Sequence, residues 1–219
     1  VKPFVHPRIK ICCIASVEEA WMAIEAGASA LGLVSRMPSG PGVIDEAAIA
    51  EIARHVPPGV ATFLLTCETD VDAIIAQHRR CGTTTIQLCD RLERGDCSDL
   101  RAALPGIGIV QVVHVTGEES IEEAQRIASQ VDAILLDSGN QALAVKELGG
   151  TGRVHDWTIS RRIRETVDVP IFLAGGLRAH NVREAIDAVH PFGLDLCTGV
   201  RTDGLLDREK LAAFMQNAR

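Results

Sequence analysis

Tyrosine is absent from the 219 residues, and tryptophan occurs only twice. An aromatic share of 3% leaves few of the anchors on which large protein-binding surfaces rely. No apolar run approaches the roughly 18 residues of a membrane-spanning helix. Nor is there a basic stripe. The formal net charge is −7 and the basic residues are scattered, which argues against nucleic acid or an anionic membrane as partner. A small anionic ligand stays open, because backbone amides bind anions locally against the global field. Low-complexity tracts, interior linkers and long-period repeats are missing too. The seven cysteines are odd in number and irregularly spaced, with no leader-like segment, and so predict reduced thiols in a cytoplasmic protein.

What is there suits a single core: 47% hydrophobic and 23% charged residues in a length that one α/β domain commonly reaches. Residues 1–7, with two prolines, read as an N-terminal extension, and 8–219 as the domain. From residue 8 a short β-type run alternates with an amphipathic helical pattern. The runs 8–14, 30–34, 59–65, 84–88, 107–115, 133–137, 169–174 and 192–197 read as strands. Between and after them, helices are expected from Ser16 to Gly27 and over 45–55, 70–80, 96–104, 118–130, 156–166, 179–188 and 207–217. Eight strand-then-helix units with none left over predict a TIM-type (β/α)8 barrel.

In such a barrel the chemistry gathers at the carboxyl ends of the strands. Asp137 ends an apolar run there and precedes a loop that closes on Gly149, Gly150 and Gly152, a length and composition that fit a lid over 142–152. A carboxylic acid so placed can protonate a leaving oxygen. Across the barrel, Cys12 can serve as a general base if its pKa falls from about 8.5 towards neutrality, which a cation such as Lys10 promotes. Its neighbour Cys13 is assigned to packing, on the reading that successive strand residues face opposite ways. The seventh and eighth strands end in Gly175-Gly176 and Thr198-Gly199, the place and residue types for a phosphate held on backbone amides. The alternative there is a tight turn and nothing more. Cys12, Cys89 and His114 could in principle ligate zinc, but no pair has a recognised ligand spacing, so no metal is expected.

Taken together, Lys10-Ile11-Cys12, Leu135-Leu136-Asp137-Ser138, Gly149-Gly150-Thr151-Gly152 with Asp156-Trp157, Leu173-Ala174-Gly175-Gly176-Leu177 with Asn181-Val182, and Asp195 before Thr198-Gly199-Val200 resemble the phosphoribosylanthranilate isomerase family. The resemblance implies a cofactor-free barrel, monomeric or homodimeric, that converts a phosphoribosyl aminobenzoate into the open-chain ketose by an Amadori rearrangement in tryptophan biosynthesis. It implies Asp137 as the acid at the ribose ring oxygen and Cys12 as the base beside the resulting imine. Gly175, Gly176, Thr198 and Gly199 would hold the phosphate, and Asp195 would meet the sugar hydroxyls, with Lys10 also counted on the substrate side.

Three departures stand beside that likeness. Cys13 replaces the family's glycine after Lys-Ile-Cys. Pro41 stands where the family's second loop carries the arginine that holds the aminobenzoate carboxylate, which leaves Arg36 of the same loop as the expected substitute. Cys89-Asp90 replaces His-Gly after the fourth strand. Two further readings follow: a divergent relative acting on another phosphorylated sugar or imine, and a catalytically silent barrel that binds a phosphorylated metabolite.

Overall fold

The computed structural model describes residues 6–139, 143 and 145–219. Eight parallel strands close into one barrel in sequence order, each followed by a helix. The strands are β1 Arg8–Ile11, β2 Ala30–Val34, β3 Ala61–Thr66, β4 Thr85–Leu88, β5 Gly108–His114, β6 Ala133–Asp137, β7 Ile171–Leu173 and β8 Gly193–Leu196. The helices are α1 Val17–Ala26, α2 Glu46–His55, α3 Val71–Cys81, α4 Cys97–Ala103, α5 Glu119–Ala128, α6 Trp157–Thr166, α7 Val182–Val189 and α8 Arg208–Asn217. Of the seven-residue extension, 1–5 lie outside the described residues, and so do 140–142 and 144, of which 142 and 144 belong to the expected lid.

Helix starts follow local chemistry. Ser16, Asp45, Asp70, Asp96, Asp156 and Asp207 each accept an amide of the first helical turn, and Asp96 with Asp99 forms a full capping box. Gly27 and Gly82 end α1 and α3 in the left-handed conformation that glycine adopts without cost.

Two cores result from the period-2 alternation of the strands. Leu31, Leu33, Leu64, Ile86, Ile109, Val113, Ile134 and Leu136 face the helices. Ala30, Val34, Phe63, Leu65, Val112, Leu135 and Phe172 fill the barrel interior, where Phe63 and Phe172 meet edge to face at 5.9 Å. That inward register places the polar groups. One step of two beyond Leu135 is Asp137, beyond Val112 is His114, beyond Gln87 is Cys89, and beyond Lys10 is Cys12.

At β1 the structure departs from the sequence reading. The strand stops at Ile11, three residues short of the expected 14, because Cys13 takes φ 63 and the chain turns. Cys13 therefore does not sit back to back with Cys12 in an extended strand. A second departure is a two-stranded hairpin after β8, β9 Arg201–Thr202 with β10 Leu205–Leu206. Its turn residues Asp203 and Gly204 both have positive φ, 51 and 83, as an Asp-Gly hairpin turn requires.

Candidate active site

The strand ends and their loops surround a pocket, partly open to solvent, at the carboxyl face of the barrel. Cys12, Asp137, Gly175, Gly176, Asp195, Thr198 and Gly199 all line it, so the sequence-expected acid, base, sugar and phosphate residues meet around one space. Lys10 lies beneath the lining and is fully buried. Arg36 is exposed on the loop after β2, away from the lining to which its neighbours Met37, Ser39 and Pro41 contribute.

Lys10 and Asp195 occupy adjacent register positions of β1 and β8, with Nζ 2.9 Å from Oδ1. The pair is close but poorly aligned for a directed hydrogen bond, since both atoms also count as buried without one. Each retains capacity for a further polar partner. Burial opposes the charge on Lys10, but Asp195 and then the Cys12 thiol hold the ammonium above the ordinary lysine range. Burial raises the Asp195 carboxyl, and the ammonium offsets part of that. Gly32 of β2 makes this arrangement sterically feasible: a Cβ there would lie 2.7 Å from Cys12 Sγ and 3.1 Å from Lys10 Nζ.

Asp137 is buried, and its Oδ1 accepts the Ser138 amide at 2.7 Å. Two imidazoles flank it. His114 sits opposite it in the β5–β6 register, and burial lowers the His114 pKa against the pull of the carboxylate. His155 is pushed down to about 4, by burial first, with Asp137 and Asp156 opposing. Burial thus favours the neutral ring at both positions. His155 Nε2 meets Ser160 Oγ at 2.7 Å, while its buried Nδ1 has no hydrogen-bond partner among the described residues. Sequence reasoning passed over His155; its place directly before the α6 cap Asp156, on the return of the lid, was the available signal.

The lid closes over the acid. Ser138 Oγ and Thr151 Oγ1 are 2.7 Å apart, Ser39 Oγ donates to the Lys146 carbonyl at 2.8 Å, and Lys146 pairs with Asp90. Pro41 packs on Gly150, where a Cβ would come 2.7 Å from its Cδ. At the far end, Gly175 and Gly176 have φ 83 and 62. Their amides have no protein acceptor among the described residues. Added Cβ atoms would collide with the lid return at Arg153 and Val154, and one at Gly199 with the Leu177 carbonyl. These glycines thus form a tight turn and also leave N–H groups open to an anion.

Among the described residues, no group of three or more His, Cys, Asp or Glu side chains is arranged to hold a metal ion. No helix among them is long and apolar enough to cross a membrane.

Residues 9–217 match the family model described as N-(5'phosphoribosyl)anthranilate (PRA) isomerase. The chain belongs to this family. An N-(5'-phosphoribosyl)anthranilate isomerase 2 of Methanosarcina mazei is 38% identical over 97% of this chain and 94% of its own length. That of Haloferax volcanii is 35% identical, covering 97% and 93%. Among solved structures, the phosphoribosyl anthranilate isomerase of Thermotoga maritima superposes with a TM-score of 0.80 at 29% identity, covering 97% of this chain and 98% of that one. A phosphoribosyl anthranilate isomerase in complex with reduced 1-(o-carboxyphenylamino)-1-deoxyribulose 5-phosphate gives 0.77 at 28%, with the same coverage. The solved structures of the family thus agree with the barrel.

Proposed function

We propose that this isomerase catalyses the Amadori rearrangement of phosphoribosylanthranilate in tryptophan biosynthesis, with Asp137 as general acid and Cys12 as general base. The observation that carries this reading is that both side chains line one cavity, together with the open amides of Gly175 and Gly176. Asp137 gives its proton to the ribose ring oxygen as the C1–O bond breaks and the nitrogen lone pair forms C1=N. Cys12, as thiolate, takes the C2 proton; the C–H electrons form C1=C2, and the iminium electrons return to nitrogen. The enolamine then becomes the ketone as C1 gains a proton and the C2 hydroxyl loses one, with no net change in protons. Gly175, Gly176, Thr198 and Gly199 hold the phosphate on backbone N–H groups, and Asp195 meets the sugar hydroxyls, while Lys10, expected on the substrate side, is buried beneath the lining and acts on the sugar only by pairing with Asp195. All of this is aldose-to-ketose chemistry, an internal redox change that uses no cofactor.

Arg36 is the proposed partner of the aminobenzoate carboxylate, brought in by a swing of its exposed side chain. A specific observation favours a second reading. No described residue lining the cavity is basic, and Pro41 offers no donor. A phosphorylated glycosylamine without a carboxylate would suit such walls. Direct assay of ketose formation, with complementation of a tryptophan auxotroph that lacks the isomerase, separates the two. Turnover of phosphoribosylanthranilate with rescue is the expected result; turnover only of a carboxylate-free analogue would replace the first reading by the second.

A further inference from the structure

Cys12 is held from both sides. Its amide donates to the Leu196 carbonyl of β8 at 2.8 Å, and its carbonyl accepts from Arg201 Nη2 at 3.4 Å. The next residue, Cys13, turns the chain at φ 63, and its carbonyl takes a second bond from the same nitrogen. A left-handed conformation is unfavourable for a residue with a Cβ and persists only where its surroundings over-determine it. Beyond the bend, the Ile14 amide returns to the Gly32 carbonyl at 3.0 Å. The guanidinium therefore acts at the bend where β1 stops, directly on the backbone that carries Cys12.

Arg201 reaches that bend from the phosphate side. It directly follows the short 3-10 turn Thr198–Val200, whose Thr198 and Gly199 line the pocket. Its side chain is 7% exposed. Nη1 donates to Glu19 Oε1 at 2.9 Å and, across the β9–β10 turn, to the Gly204 carbonyl at 2.8 Å, while Nη2 donates to Glu19 Oε2 at 3.0 Å. Glu19, on α1, also accepts the Leu206 amide at 2.8 Å and the Ala15 amide at 3.0 Å. Burial opposes the charge on Glu19, but Arg201 and then these two amides hold its carboxyl below the ordinary range. The main chain of Arg201 is pinned as well, with its carbonyl accepting from Lys210 Nζ at 2.8 Å and the preceding Val200 carbonyl accepting the Asp207 amide at 2.9 Å. A planar fork fixed in this way sets direction as well as distance.

We propose that Arg201 is a positioning residue for the isomerase reaction: it ties the backbone of Cys12 to the phosphate loop and so sets where the base stands relative to the anchored substrate. The proposal rests on the reading of Cys12 as general base. A substrate held by its phosphate on the amides of the seventh and eighth loops presents C2 at a place fixed by those loops. Whether the Cys12 sulfur meets that carbon then depends on how the end of β1 is set against Thr198–Val200, and one guanidinium joins the two. Its loss should slow removal of the C2 proton and leave phosphate binding in place, because the amides that bind the anion stay fixed by the hairpin backbone.

The test uses the full chain, phosphoribosylanthranilate and its C2-deuterated form, inorganic phosphate as competitor, and thermal melts. Removing one partner alone strands a buried charge and endangers the fold, so the first variant combines Glu19→Gln with Arg201→Gln and removes both charges together. Its kcat should fall by about thirtyfold or more, as a misplaced reacting group entails. KM and inhibition by phosphate should stay within about threefold, and the deuterium effect on kcat should be at least as large as in wild type. Arg201→Lys keeps the charge for Glu19 but puts one nitrogen where two were. It should melt near wild type and still lose about tenfold in kcat, which an ion pair that only stabilises the fold would not predict. Wild-type kcat in Arg201→Lys, a double variant altered only in melting temperature or KM, or a kcat loss in which the deuterium effect vanishes would overturn the proposal. Cys12→Ser separates it from the reading beneath it. An active Cys12→Ser removes the base and the positioning role with it, whereas an inactive Cys12→Ser beside a fully active Arg201→Lys removes the positioning role alone.

Discussion

Gly149 rests directly against the carboxylate of Asp137: a Cβ at Gly149 would lie 2.8 Å from Oδ2, and its φ of 139 is one that side chains rarely adopt. The lid therefore fixes the acid by the absence of a side chain. Gly149→Ala should push the lid or the carboxylate aside and lower kcat, on the order of a hundredfold for a shift near an ångström. Phosphate affinity and thermal stability should change little, because the anion loops and the core are elsewhere. Steady-state kinetics with inorganic phosphate as competitor checks this; an unchanged kcat would mean that the lid does not position Asp137.

Asp137→Asn removes the transferable proton while keeping shape, and turnover should drop by about a hundredfold or more. Cys12→Ser should lose most activity because a hydroxyl is a far weaker base than a thiolate. Cys13→Ala should act mainly on stability, since alanine keeps the left-handed conformation that costs a non-glycine residue about 1–2 kcal/mol and gives up the packing of the thiol. Thermal melts beside kinetics decide it. The opposite ranking, with Cys13→Ala inactive and Cys12→Ser active, would exchange the two roles.

Much of this was legible because the barrel is local chemistry repeated. Each strand is a short apolar run, and six helices begin on a Ser or Asp whose side chain does cap the first turn. Asp137 ends β6, where register alone aims its side chain inward, and Gly175 and Gly176 follow β7 at the same face. Other features depended on contacts that no window of sequence contains. Arg201 reaches Glu19 across 182 residues only because β8 closes on β1. Apolar residues continue through Ile14 and so suggest a strand over 8–14, whereas the backbone turns at Cys13. The hairpin at Arg201–Leu206 had a readable Asp-Gly signal that went unused.

His155 supplies a pH test. Its folded pKa, about 4, is below the ordinary 6.5, so between those values the unfolded chain binds the extra proton. Stability then rises with pH across that window, and it is lost as pH falls from about 6.5 towards 4. The contribution is on the order of 2–3 kcal/mol at most, given the partial burial of the ring. His155→Phe removes the titration, and its melting temperature should fall less between pH 7 and pH 5 than that of wild type. Because His114 is also lowered, some slope should remain in the variant. Parallel curves for the two proteins would show that His155 is not a source of acid sensitivity.

The substrate question turns on Arg36. A planar carboxylate is matched by the guanidinium fork, and losing a charge-assisted bond of this kind costs about 1.5–3 kcal/mol. Pro41 cannot make it, and Arg36 points to solvent from the same loop. Gly40 and Gly42, at φ 102 and 79, flank Pro41 and allow that loop to bend. Movement is limited at one end by the Cys67 thiol, which donates to the Arg36 carbonyl at 3.1 Å, and at the other by Ser39 on the lid. The side chain is free to swing while its backbone stays. Arg36→Ala should therefore raise KM for phosphoribosylanthranilate by about tenfold or more, about 1.4 kcal/mol per decade, with kcat nearly kept, because the interaction binds ground state and transition state alike. An unchanged KM in an active enzyme would remove Arg36 from recognition. If wild type itself fails on this substrate and turns over a carboxylate-free analogue, the absence of basic residues from the cavity lining is the reason, and the divergent-substrate reading takes its place.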